Sequence, residues 1–151
     1  MTLQRLIAGA VLLLASAMAQ AFDFRSVGAA PAILYDAPSH KAGKLYLAPS
    51  GMPVEVVLGY GEWVKVRDFS GEMAWTEAKL LSPKRTVIVR SAGAKVRPTA
   101  DESGIALMSA DRGVLLELAE APATPPASLW VKVRHKDGII GFIKATDIWG
   151  I

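Results

Sequence analysis

The clearest pattern of apolar and polar positions in this chain is a five-residue alternation that occurs twice. The residues Trp-Val-Lys-Val-Arg stand at 63–67 and again at 130–134. An apolar/polar period of two is typical of a β-strand that buries one face. In the first copy, Val64 and Val66 are then predicted to face a core. Trp63 is predicted to lie on the opposite face, together with the two charged side chains.

The segments that follow the two copies also correspond. Four positions after each copy stands a glycine, Gly71 or Gly138, and an apolar stretch with an aromatic residue comes next, at Trp75 or Phe142. This pattern predicts two similar hairpins. Together with the identical pentapeptide it indicates that a small β domain has been duplicated.

The repeat divides the chain into two predicted domains, at 22–83 and 84–151. Each has about 60 residues, a size at which a domain folds alone but with little stability to spare. Short β-branched runs between glycine and proline turns predict the strands, and a single 3₁₀ turn is expected before Pro83. Because the linker at 82–84 is short, we expect the halves to pack together and to unfold in one cooperative transition.

The first 21 residues have the features of a secretory signal peptide. Arg5 is followed by an apolar run at 6–15 and then by small residues, with a predicted cleavage after Ala21. A membrane anchor is the alternative, but the run is short for a membrane span. The mature protein is therefore predicted to be periplasmic or secreted, without a membrane span.

Composition narrows the function classes. The formal net charge is only +3 and falls when Arg5 is removed, which is too weak a bias to indicate a nucleic acid partner. The chain has no cysteine, so disulfides, a lipoprotein anchor and thiol catalysis are excluded. His40 and His135 lie in or beside predicted loops and are interpreted as solvated side chains. No serine elbow or phosphate loop occurs, so the sequence predicts a protein that is not an enzyme and needs no cofactor or metal.

Several short motifs resemble those of bacterial SH3 (SH3b) domains in exported proteins. Residues 32–36 resemble the opening A-x-L-Y-D signature, 62–67 resemble the E-W-W-K-A-R strand, and 71–75 resemble the G-E-x-G-x hairpin return. In the second copy, the Val-Arg-Pro at 96–98 resembles a V-R-x-x-P opening, with the proline two positions earlier. The resemblance implies an all-β fold class with two tandem SH3-like small β-barrels after the signal peptide.

The resemblance also implies where a ligand would bind in the first copy. Eukaryotic members hold proline-rich peptides on aromatics from the opening signature, the first tryptophan of the strand and a closing P-x-x-Y. Tyr35 and Trp63 match the first two of these, whereas the closing positions are Glu77 and Leu80. Bacterial relatives imply another ligand class, a cell-wall (peptidoglycan) peptide or a periplasmic protein partner.

The second copy departs further from that pattern. Trp130 is retained, but Arg97 replaces the opening tyrosine, and Lys144 and Asp147 occupy the closing positions. If only one half binds a ligand through aromatics, we therefore expect it to be the first. The candidate ligand-binding residues of the two copies are Tyr35, Trp63, Trp75, Trp130 and Phe142.

Three alternatives remain open from the sequence. The candidate aromatics could instead complete small cores or the interface between the halves. The chain could be a structural or assembly protein that self-associates, or scaffolds a partner, through exposed sheet edges such as the strand at 86–90. The loop Pro122–Pro126 contains a P-x-x-P pattern, which is either a ligand for a partner or a rigid surface loop.

Overall fold

The computed structural model describes residues 22–121 and 128–151. The predicted signal peptide at 1–21 and the predicted Pro122–Pro126 loop lie outside the described residues. Within those two ranges, no helix combines the length and the apolar character that a membrane crossing needs.

The described chain is built of short strands and two single 3₁₀ turns. The first half contains β1 (Asp23–Val27), β2 (Ala32–Tyr35), β3 (Lys44–Ala48), β4 (Pro53–Tyr60), β5 (Trp63–Arg67), β6 (Met73–Glu77), the 3₁₀ turn η1 (Ala78–Leu80) and β7 (Leu81–Ser82). The second half contains β8 (Thr86–Val89), β9 (Ala94–Val96), β10 (Met108–Ala110), β11 (Leu115–Leu118), β12 (Trp130–Arg134), β13 (Ile140–Lys144), the 3₁₀ turn η2 (Ala145–Asp147) and β14 (Ile148–Trp149).

The two halves pair their strands in the same order. The first forms one sheet, β3-β2-β6-β5-β4-β1-β7, and the second forms β10-β9 and β13-β12-β11-β8-β14. A single antiparallel bridge between Arg97 and Phe142 connects β9 to β13, the same connection that β2 makes to β6 in the first half. The repeat seen in the sequence is therefore also a repeat of strand order and pairing.

The pentapeptides occupy the strands that the alternation predicts. Val64, Val66 and Val133 are buried and Val131 is partly buried, while the other residues of both strands lie on the opposite face. Each half has its own apolar core, and burial of such a valine contributes about 1.5–3 kcal/mol. The hairpins after the pentapeptides turn at Gly71 and Gly138, both at φ +89°, a conformation that favours glycine.

The strand at 86–90 lies in a different place from the one expected. The segment at 86–90 was expected to be an exposed edge, but β8 pairs with both β11 and β14 and all four of its residues are buried. The equivalent strand of the first half, β1, also lies inside its sheet, between β4 and β7. In both halves the partners are distant in sequence, so the local residue pattern does not reveal that these strands are internal.

The two halves pack against each other at a junction formed by the linker, β1 and the C-terminal strand. The Arg85 guanidinium lies 5.5 Å from the ring of Phe24 and donates a hydrogen bond of 2.8 Å to the Gly150 carbonyl oxygen. Phe24 in turn contacts Trp149 edge to face, at 5.1 Å between ring centroids. Arg85 is thus a partly buried junction residue, and burial lowers its pKa.

Candidate functional site

The outer face of β5 and β6 brings together side chains that are far apart in the first half of the sequence. Trp63 is paired with Glu77, and Lys65 is paired with Trp75, across these two strands. Tyr35, at the end of β2, is paired with Trp75 from the other side of β6. Since paired residues of neighbouring strands project to the same face, the candidate residues of the first copy share one surface.

Three rings on this surface contact one another, and we call Tyr35, His40 and Trp63 the aromatic cluster. The ring centroids of Tyr35 and Trp63 are 5.5 Å apart with an interplanar angle of 83°. The His40 ring lies 4.9 Å from Trp63 and 6.0 Å from Tyr35. Such edge-to-face aromatic pairs contribute about 0.5–1.5 kcal/mol beyond area burial, so the cluster is a preformed feature of the surface.

The three side chains of the aromatic cluster differ in their exposure to solvent. Tyr35 is buried at 8% exposure and Trp63 is half-buried, whereas the His40 side chain is 65% exposed. Tyr35 therefore supports the other two rings from below, and Trp63 and His40 form the accessible part.

A short loop between β2 and β3 places His40 over the two other rings. Its ends are closed by hydrogen bonds of 2.9 Å from the Asp36 amide to the Gly43 carbonyl oxygen and from the Gly43 amide to the Asp36 carboxylate. A Cβ atom at Gly43 would lie 2.6 Å from Asp36 Oδ2, so the close approach of the loop ends requires glycine or a displaced carboxylate. The loop is thus held in a compact form that keeps His40 next to β5.

One carboxylate flanks the cluster. Glu77 Oε1 lies 3.4 Å from His40 Nε2, and Glu77 Oε2 lies 2.9 Å from Lys79 Nζ. Lys65 Nζ lies on the other side, 6.0 Å from the centre of the Trp75 ring. The surface therefore offers aromatic rings between an acidic and a basic group, which suits a ligand with apolar or planar groups and polar handles.

The corresponding face of the second half has the equivalent tryptophan, Trp130, but different residues surround it. Trp130 is paired with Lys144, whose Nζ lies 5.9 Å from the indole ring, and Lys144 also forms an ion pair with Glu102. Phe142 is paired with Lys132 and bridged to Arg97. Within the described residues, neither Trp130 nor Phe142 contacts another aromatic ring.

Different residues at equivalent positions account for this difference. Arg97 takes the place of Tyr35, so the supporting ring is missing, and its guanidinium donates a 3.1 Å hydrogen bond to the Gly104 carbonyl oxygen. Where the first half pairs His40 with the acidic Glu77, the second pairs the acidic Glu102 with the basic Lys144. The Lys144 ammonium lowers the pKa of Glu102.

The five residues predicted from sequence lie on these two faces. None of them belongs to the two clusters that form the cores. The aromatics at the junction between the halves are instead Phe24 and Trp149, which were not among the candidates. Tyr35 is nevertheless buried at 8% exposure, so for this residue the structure agrees with the alternative that the candidates complete a core.

Sequence reasoning missed two members of the site. His40 was interpreted as a solvated loop histidine, and its side chain is indeed exposed, but it also contacts two rings and a carboxylate. Glu77 was noted only as a departure from the closing motif. The sequence did contain a signal for Glu77, because the hairpin turn at Gly71 determines that Glu77 pairs with Trp63. Among the described residues, no group of three or more histidines and carboxylates is arranged to hold a metal ion.

A buried polar cluster holds the β5–β6 hairpin that carries this face. The Asp68 carboxylate accepts hydrogen bonds from Tyr46 Oη at 2.6 Å, from the Ser70 amide at 2.9 Å and from the Glu72 amide at 3.0 Å. Burial alone would raise the pKa of Asp68, but the hydrogen bonds from Ser70 and Tyr46 outweigh it and the pKa is lowered. Burial and the same carboxylate raise the pKa of Tyr46.

Residues 28–83 match the family model described as "Bacterial SH3 domain". The match covers the aromatic cluster, Glu77 and the strands from β2 to β7. It confirms the bacterial SH3 resemblance for this part of the chain, and the all-β architecture confirms the predicted fold class.

Three of the solved structures that are similar to this chain share 10–15% identity with it. Two are NlpC2 and NlpC1 from Trichomonas vaginalis, at 10% and 14% identity with a TM-score of 0.36 each. They cover 87% and 93% of this chain and 49% and 50% of theirs. A third is an NlpC/P60 family protein from Bacillus cereus, at 15% identity and a TM-score of 0.37, covering 83% of this chain and 55% of that one. The chain thus spans about half the length of the solved structures it matches. A comparison with curated protein sequences found no match.

Proposed function

We propose that this protein is a non-catalytic binding module outside the cytoplasm, formed by two tandem SH3b domains at 22–83 and 84–151. Its first domain binds a cell-wall peptide or a periplasmic protein through the aromatic cluster. The observation that supports this most is the contact of Tyr35 with Trp63, two aromatics that the SH3 family uses for ligands, on an accessible face.

Other features agree with this proposal. The family match covers the half that carries the cluster, and the second half repeats its strand order. The predicted signal peptide supports a location in the periplasm or outside the cell.

The direct test is retention of the purified protein by cell-wall sacculi at moderate salt. Trp63→Ala should abolish most of the retention, because loss of a central aromatic contact costs about 2 kcal/mol or more, about thirtyfold in affinity. Trp130→Ala is the matched control, since it removes the equivalent tryptophan from the face without a cluster, and should retain near wild-type binding.

The results separate the possible ligands. Absence of retention for the wild-type protein contradicts the cell-wall version of the proposal. Equal loss in the two tryptophan variants contradicts the assignment to the first half. Chemical crosslinking of the protein in intact periplasm, with Trp63→Ala for comparison, then tests the protein-partner version.

One observation supports the alternative that the protein self-associates through a sheet edge, but it concerns β3 and not the strand at 86–90. In the described part of the chain, β3 is the outermost strand of its sheet, with Leu45 exposed at 42% and Leu47 at 62%. An outer strand with apolar side chains can pair with a second chain. Sedimentation over a wide concentration range tests this, and a constant monomer mass contradicts it.

A further inference from the structure

A cleft of 460 Å³ lies at the junction of the two halves, away from the aromatic cluster. Its walls come from the end of β1, the linker, β11 and the end of β12. Val27 and Leu116 supply apolar surface, and serine and threonine side chains are also present. Clefts of this size between domains are frequent positions for small-ligand sites.

Basic residues outnumber acidic residues among those that line the cleft. Lys84, Arg134 and Lys136 are basic, and Glu117 is the single acidic residue among them. Glu117 forms its ion pair with Lys84. Within the described residues, no carboxylate lies within ion-pair distance of Arg134 or Lys136.

The repeat shows that this arrangement is specific to the second half. Arg67 and Arg134 are the last residues of the two pentapeptides, and each is paired across the sheet with a glutamate, Glu55 or Glu117. In the first half, Arg67 Nη1 lies 3.6 Å from Glu55 Oε2, so the pair is neutral. In the second half, Glu117 forms its ion pair with Lys84 of the linker instead, and Arg134 lines the cleft without an ion pair among the described residues.

From these observations we infer that the junction cleft is a binding site for an oxyanion, either a carboxylate or a phosphate group of a ligand. Arg134 binds the anion through its planar fork of N–H donors, and Lys136 contributes a second positive charge. This site is separate from the aromatic cluster and does not depend on the function proposed for it.

The test is titration of the whole protein, followed by NMR or calorimetry, with two probes. Succinate represents a carboxylate source and glucose 1-phosphate a phosphate source. We expect saturable binding of at least one probe, weakened by added salt because the site is partly exposed. Arg134→Gln should weaken that binding about tenfold or more, as expected for loss of hydrogen bonds to a charged group.

Arg67→Gln is the matched control, since it changes the same residue of the same repeat outside the cleft, and should leave the affinity within twofold of wild type. Lys136→Gln gives a second, smaller loss if Arg134→Gln does not fold. Absence of saturable binding with both probes overturns the inference. So does binding that Arg134→Gln and Lys136→Gln leave unchanged, or that Arg67→Gln weakens equally.

Discussion

The outer face of β5 and β6 and the outer face of β12 and β13 begin from the same five residues but carry different chemistry. In the first, Trp63 contacts Tyr35 and His40 beside the carboxylate of Glu77. In the second, Trp130 lies beside the ammonium of Lys144. The inward residues of both strands are apolar, so the two copies of the pentapeptide agree at their core positions and differ in what surrounds their outer faces.

This contrast follows from the physics of the two faces. Replacing a buried residue of such a small domain removes a large part of its stability, whereas a change on the outer face costs little. Outer positions are therefore free to acquire different ligands. Together, the two proposed sites divide the roles, with aromatic recognition in the first half and anion recognition at the junction.

The largest expected effect tests whether the cores are equivalent. Val66→Ala and Val133→Ala, at matching positions with 0% exposure, should each lower the free energy of unfolding by about 2–3 kcal/mol through lost burial and a cavity. Urea denaturation measures this, and each variant should unfold in a single transition. A difference of more than twofold between the two losses, or two separate transitions, contradicts equivalent and coupled halves.

A smaller effect distinguishes the two hairpins. Asp68→Ala leaves the Tyr46 hydroxyl and two amides without their acceptor, so it should cost about 1–3 kcal/mol. His135 occupies the equivalent turn position, where its Nδ1 accepts only the Asp137 amide, at 3.3 Å. His135→Ala should therefore cost clearly less, and equal losses would contradict a special role for the Asp68 cluster.

The same cluster predicts a pH dependence. The pKa of Asp68 is lower in the folded protein than its ordinary value of 3.8, so the unfolded chain binds the proton more readily. The stabilisation by Asp68 is thus present above pH 3.8 and is lost as the pH falls through the folded pKa. Denaturation curves below pH 4 should show a steeper loss of stability in wild type than in Asp68→Ala, and parallel curves would contradict this assignment.

The smallest expected effect concerns the charges that distinguish the two faces. Glu77→Gln removes the partner of two mostly exposed side chains, His40 and Lys79, and Lys144→Gln removes the partner of the mostly exposed Glu102. Each should therefore change stability by about 0–1 kcal/mol. Thermal melts of both variants measure this. A loss well above that range for Glu77→Gln would show that Glu77 supports the fold and not mainly the surface of the site.

Much of this protein was predictable from the sequence because it depends on neighbouring residues. The alternation of Trp63–Arg67 and of its second copy determined which valines face a core. Gly71 and Gly138 marked the hairpins, since a backbone at positive φ favours glycine. The resemblance of 32–36 and 62–67 to SH3b motifs indicated that Tyr35 and Trp63 would meet.

Only the tertiary structure decided which distant groups become neighbours. It placed β1 and β8 inside their sheets and brought His40 and Glu77 to the aromatic cluster. It also paired the Glu117 carboxylate with Lys84 and not with Arg134. Periodicity and turn residues act over a few positions along the chain. The choice among several possible long-range partners depends instead on how the packed halves bring those partners within contact distance.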